Sequence, residues 1–128
     1  MNERNAELQS IRDAVNLYVE GLHTGNIAML RKAFHPKAMM YGASDGNITI
    51  VEIEGLYSFV ASNKPLSETG EPHQCFISSI QYAGNAASVE MIEESAHGND
   101  YTNYFQLLKI DGQWVIVSKS YNASASKP

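Results

Sequence analysis

His35 lies in Phe34-His35-Pro36, between the end of a helical stretch and a proline, where its imidazole is the polar group best placed for proton transfer. An imidazole there can act as a base. The same ring can instead hydrogen-bond the backbone at a helix end and fix the following turn. Both roles stay open. Seven tyrosines, four phenylalanines and one tryptophan supply a second kind of chemistry. Aromatic walls with phenol tips suit a small, mostly apolar organic ligand bearing a carbonyl or hydroxyl. Tyr18, Tyr41, Tyr57, Tyr104, Phe105 and Trp114 are the candidate ligand-binding wall, and Tyr18 or Tyr41 would stabilise an oxyanion beside His35. Each also reads as an ordinary core aromatic.

Carboxylates are the remaining candidates for acid and base work. Asp45, Glu52, Glu93, Glu94 and Asp100 fall near turns and Glu90 in mid-strand; catalysis requires one of them desolvated against His35 or a tyrosine. His23 reads as a helix-end residue, and His73 and His97 as surface residues of loops. Cys75 is a lone cysteine and reads as a small buried hydrophobe. The histidines lack metal-ligand spacing and no cysteine pair accompanies them, so no metal site is expected. No glycine-rich phosphate loop follows a strand and no serine sits in a nucleophile elbow, so no cofactor is expected either.

The elements that position these groups follow from periodicity. Leu8, Ile11, Val15, Tyr18 and Leu22 recur at helical steps and Thr24-Gly25 closes the run, after which Asn26 caps a second helix from Ile27 to Phe34. Pro36 stops it. Strands are predicted at Ala38 to Ala43 and Asn47 to Val51, then a helix from Glu52 to about Asn63 carrying Ile53, Leu56, Tyr57 and Val60. A polar loop, Leu66 to Pro72, leads to four long strands beginning near His73, Asn85, Asn99 and Gln113. Gly84-Asn85, Gly98-Asn99 and Asp111-Gly112 mark hairpins between them. The class is α+β, and consecutive antiparallel pairing is the economical topology.

At 128 residues the chain is expected to be one domain, residues 1–128, with enough apolar sequence for a core of its own. A net charge of -5 without a basic run argues against nucleic acid as a partner. The acidic start and the lack of a long apolar stretch argue against export and membrane, giving a cytoplasmic expectation. In the last strands Trp114 and Ile116 alternate with Val115 and Val117, and Phe105 and Leu107 with Tyr104, Leu108 and Ile110. Three helices cover one face only. The outer face is therefore expected to pair with a second copy, giving a homodimer through the sheets.

Gly25-Asn26, Leu30, Phe34-His35-Pro36-Lys37-Ala38, Gly84-Asn85-Ala86-Ala87 and the stretch from Tyr104-Phe105 to Val117, with Lys119 behind it, resemble the putative lumazine-binding family. That family belongs to the nuclear transport factor 2-like superfamily. The resemblance implies a cone-shaped fold, with three N-terminal helices packed on a strongly curved, mainly antiparallel sheet. This fold is shared by isomerases, dehydratases, hydrolases, cyclases and proteins without catalysis. Binding of a small, mostly apolar molecule without chemistry is the first expectation. The alternatives are a cofactor-independent lyase, isomerase or hydrolase with His35 as base, and a protein-interaction or assembly module.

Overall fold

The computed structural model describes residues 2–127. Helix α1 (Glu3–Thr24) starts where the Asn2 side chain accepts the Asn5 N–H, and it ends at Gly25, whose φ of 71° lies in the left-handed region that glycine enters freely. Ile11, Val15, Tyr18 and Leu22 are buried along one stripe of this helix. Asn26 accepts the Met29 N–H and so caps helix α2 (Ile27–Ala33).

Strand β1 (Phe34–Ser44) begins directly from α2, four residues earlier than the sequence predicts. Pro36 is tolerated there because β1 loses register with its neighbour between Phe34 and Met39, so no ladder donor is missed. Strand β2 (Asn47–Glu52), helix α3 (Glu54–Ser62) and a single 3-10 turn (Leu66–Glu68) follow. The chain finishes with β3 (Gln74–Ala83), β4 (Ala86–Ala96), β5 (Asn99–Ile110) and β6 (Gln113–Ala125).

These strands make one six-stranded sheet in the order β2-β1-β6-β5-β4-β3. The last four pair antiparallel through successive two-residue hairpins, the last with Asp111 and Gly112 both at positive φ, 51° and 80°. Strand β6 also pairs with β1, in parallel, which makes the sheet mixed and joins the first strand to the last.

Val89, Met91, Phe105, Leu107, Trp114 and Ile116 are buried on the inner face, where α1 lies across the sheet. Trp114 Nε1 donates to Glu7 at 2.6 Å, and the Tyr18 ring meets Phe105 edge-on at 5.1 Å. On the outer face Phe76, Tyr104, Leu108 and Ile110 stay exposed. Among the described residues, no helix is long and apolar enough to cross a membrane.

Two of the sheet's irregularities shape its inner face. Between β5 and β6 the pairing steps from Leu107–Ile116 to Gln106–Ser118, leaving Val117 as an extra residue on β6. Strict alternation would continue the inward face from Trp114 and Ile116 to Ser118; the bulge hands that face to Lys119 and Tyr121 instead. A second bulge interrupts β4 between Glu93 and Ala96, with Ser95 at φ 59°.

Candidate functional site

A cavity of about 290 Å³ opens between the inner face of the sheet, α1, α3 and β2. Its walls are mostly apolar, with Leu22, Met40, Val51, Leu56 and Leu66 among them, and its polar groups come from Tyr18, Glu93, Tyr101, Lys119 and Tyr121. Phe59 and His97, whose rings meet edge-on at 5.5 Å, also line it. Glu71 holds the β4–β5 turn beneath His97, its carboxylate accepting the His97 and Gly98 N–H groups at 3.1 and 2.8 Å. His97 itself has a φ of 50°, in the left-handed region that histidine, asparagine and aspartate enter more often than other residues with a side chain, and the Glu71 contacts hold the turn in that form.

Lys119 is 3% exposed. Among the described residues no carboxylate lies within ion-pair distance of its amine. Three phenol rings surround Nζ instead, at 4.3 Å for Tyr121, 5.6 Å for Tyr18 and 6.0 Å for Tyr101. Burial lowers the ammonium pKa to about 8, against a smaller opposing pull from the charge of Glu93. Tyr121 reaches this position because it crosses over Gly42 of the paired strand; a Cβ on Gly42 would collide with its ring.

Glu93 is 1% exposed and receives three side chains. Tyr18 Oη donates to Oε1 at 3.1 Å, Asn103 Nδ2 to the same oxygen at 3.1 Å, and His73 Nε2 lies 2.8 Å from Oε2. Two donors thus hold Oε1, while the proton between Oε2 and His73 Nε2 can sit on either partner, so that Glu93 can both accept and pass on a proton. Burial, and then the charge of Glu93, push the Tyr18 phenol well above its ordinary range, so it remains a donor. Behind His73, its Nδ1 stands 2.9 Å from Nδ1 of His23, with the two rings stacked. If His73 donates from Nε2, a neutral pair requires His23 to donate from Nδ1. His73, Cys75 and Glu93 each offer one metal-ligand atom, all within 4.8 Å of one another. Burial pushes the Cys75 thiol far up, and the hydrogen bonds to Glu93 already account for that carboxylate's placement.

The residues singled out from the sequence divide around this cavity. Tyr18 lines it. Phe105 lies beneath the floor and packs on Tyr18; Trp114 is buried at the far end against Glu7. Tyr57 is buried in the core with Arg31 stacked 4.5 Å from its ring, whereas Tyr41 and Tyr104 face outward and are exposed. His35 stands outside the cavity, its Nδ1 accepting the Lys37 N–H at 3.0 Å, which fixes the turn around Pro36. Lys119, Tyr101, Tyr121 and Asn103 were not candidates. A lysine beside a run of alternating apolar residues is the available signal, and it requires knowing where the bulge falls. His73, expected at the surface, is buried instead: its side chain is 2% exposed because the loop before β3 folds it under α1, between His23 and Glu93.

Three helices on a six-stranded mixed sheet, enclosing a cavity on the helical side, define a small-molecule-binding domain of the nuclear transport factor 2-like, cystatin-like fold. The chain belongs to the family described as putative lumazine-binding, whose pattern matches residues 6–122. An NTF2-like protein of unknown function from Shewanella baltica is similar at 28% identity and a TM-score of 0.88, over 98% of this chain and 100% of that one. Another, from Methylobacillus flagellatus, is 26% identical with a TM-score of 0.85, over 94% of each chain. A cystatin-like protein from Nostoc punctiforme shares the fold alone, at 16% identity and a TM-score of 0.68, over 94% of this chain and 92% of that one. Among characterised sequences, an aldolase, FrzH, of Cladobotryum sp is 28% identical over 120 residues, 93% of each chain.

Proposed function

We propose that the cavity binds a small, mostly apolar carbonyl compound and carries out aldol-type carbon–carbon chemistry on it. One observation carries this reading: an amine without an ion-pair partner among the described residues and a hydrogen-bonded carboxylate are buried in the same apolar cavity. Aldol chemistry needs a group that accepts or stabilises charge next to the carbonyl and a second group that exchanges a proton, and it needs water kept away from the reactive carbanion equivalent. Lys119 and Glu93 supply the first two, and the apolar walls the third. The similarity to FrzH, which is an aldolase, supports the reaction class.

The test is retro-aldol cleavage of a β-hydroxyketone that releases fluorescent methoxynaphthaldehyde. Cleavage above the buffer rate, lost in Lys119→Met and retained in His35→Ala, is the expected result. A thermal shift with the same ketone and no cleavage would leave binding without chemistry as the better reading.

The protein is further read as a homodimer through the outer sheet face. By strand register, Ile50, Tyr41, Ser120 and Tyr104 form one row across that face and Ile48, Ala43, Ile92 and Phe76 lie on the next, and most of the large apolar members are exposed. Light scattering at micromolar concentration should report twice the chain mass; a monomer would refute the pairing.

A further inference from the structure

We infer that Lys119 is the point of covalent attachment, its Nζ adding to the substrate carbonyl to form an iminium, with Glu93 supplying the proton that expels water. This rests on the aldol-type reading and assigns its mechanism. The geometry singles out Lys119 in three ways. First, the bulge at Val117 turns it inward, against the alternation of its strand. Second, a buried lysine is normally paired, and this one has no carboxylate within reach among the described residues. Third, its head group lies in a cavity with room for a ligand, among rings that would stack on a flat one.

The step balances without a co-reactant. The amine lone pair attacks the carbonyl carbon, and the carbonyl oxygen takes a proton to become the carbinolamine hydroxyl. A second proton, delivered by Glu93, lets that hydroxyl leave as water while the nitrogen lone pair forms the C=N bond. Overall, ammonium and carbonyl become iminium and water. In cleavage the Glu93 carboxylate takes the proton of the β-hydroxyl, whose oxygen forms the aldehyde C=O as the bond between the α and β carbons breaks toward the iminium; the resulting enamine takes a proton back at its α carbon, and water adds to the iminium to release the ketone and restore the lysine.

Glu93 is recharged from outside the cavity. His23 is half-buried, His73 is buried, and the contacts His23–His73 at 2.9 Å and His73–Glu93 at 2.8 Å form a continuous path for protons to the cavity wall. The groups facing Lys119 are Tyr18 of α1, Glu93 of β4, His97 of the β4–β5 turn, Tyr101 of β5 and Tyr121 of β6. Tyr18 and Tyr101 have raised pKa values, so neither phenol ionises near neutral pH. At pH 7 a pKa of about 8 leaves roughly a tenth of the Lys119 amine neutral, against less than about a thousandth for an ordinary lysine.

The experiment is reductive trapping. The full-length protein is incubated with benzaldehyde and sodium cyanoborohydride at pH 7, and benzylated lysines are mapped by peptide mass spectrometry. One benzyl group on Lys119, formed at least about tenfold faster than on Lys32, Lys37, Lys64, Lys109 or Lys127, is expected. Folded Lys119→Arg, checked by its melting transition, should lose that label. Label spread over the other lysines with Lys119 unmodified would overturn the assignment. For the proton path, His23→Ala, whose side chain lines no part of the cavity, should slow labelling severalfold, and free imidazole should restore the rate. An unchanged rate would overturn the path. Ketone cleavage without trapping would remove covalent attachment and keep the aldol reading; trapping without cleavage would do the reverse.

Discussion

Lys119→Met should make the protein more stable at neutral pH while removing its reactive group. The drop in the Lys119 pKa from 10.5 to about 8 corresponds to about 3 kcal/mol of penalty for holding the charged amine in the cavity. The Tyr121 ring at 4.3 Å returns part of this, about 0.5 to 2 kcal/mol for a cation over an aromatic face. Methionine keeps the length of the side chain and has no charge to desolvate. A net gain of about 1 to 3 kcal/mol is therefore expected below pH 8. The sign follows from proton counts. Below pH 8 folded and unfolded chains both carry the proton, and the whole penalty acts. Between about pH 8 and 10.5 the folded amine sheds its proton first, so wild-type stability rises relative to the variant. Above 10.5 the advantage of methionine has gone. Urea denaturation of both proteins at pH 7 and pH 10, followed through the fluorescence of the single buried tryptophan, measures the gap directly. A methionine variant less stable than wild type at pH 7, or a gap that does not shrink with pH, would refute the view of Lys119 as a strained, function-bearing charge.

Glu93→Leu should cost about 3 kcal/mol or more by urea denaturation, because it leaves the donors of Tyr18, Asn103 and His73 buried without an acceptor; Glu93→Gln should cost less. Gly42→Ala should destabilise the fold by about 1 to 3 kcal/mol and displace Tyr121, with a weaker thermal shift from cavity ligands as the readout. Trp114→Ala should cost about 3 to 5 kcal/mol in the same denaturation measurement, as truncation of a buried aromatic that also strips Glu7 of a donor. His35→Ala should lower the melting temperature by no more than a few degrees, since the change removes one local bond to the Lys37 N–H.

The architecture was legible in local chemistry, and the site was not. Gly25 and Asn26 announce the junction of the first two helices, and Asp111-Gly112 the last hairpin, because each acts within a few residues of itself. The parallel pairing of β1 with β6 joins segments some eighty residues apart and leaves no local mark, so the central place of β6 could not be read. The same distance hides the site. Tyr18 and Glu93 are 75 residues apart and His23 and His73 are 50 apart, and no spacing rule links them. Glu93 stood among the carboxylates near turns; only the sheet register shows that it is the one aimed at a tyrosine. His35 drew notice through its proline neighbour, a local feature, and in the structure it serves that local turn.

The extra residue at Val117 acts as a parity setting for the end of the chain. Were β6 to run straight through that point, every later side chain would change sides, bringing Ser118 and Ser120 into the hollow and sending Lys119 and Tyr121 to the solvent. No wall-forming amino acid would have to be replaced. A change in backbone count alone thus decides whether this end of the chain turns an amine and a phenol or two hydroxyls toward the hollow.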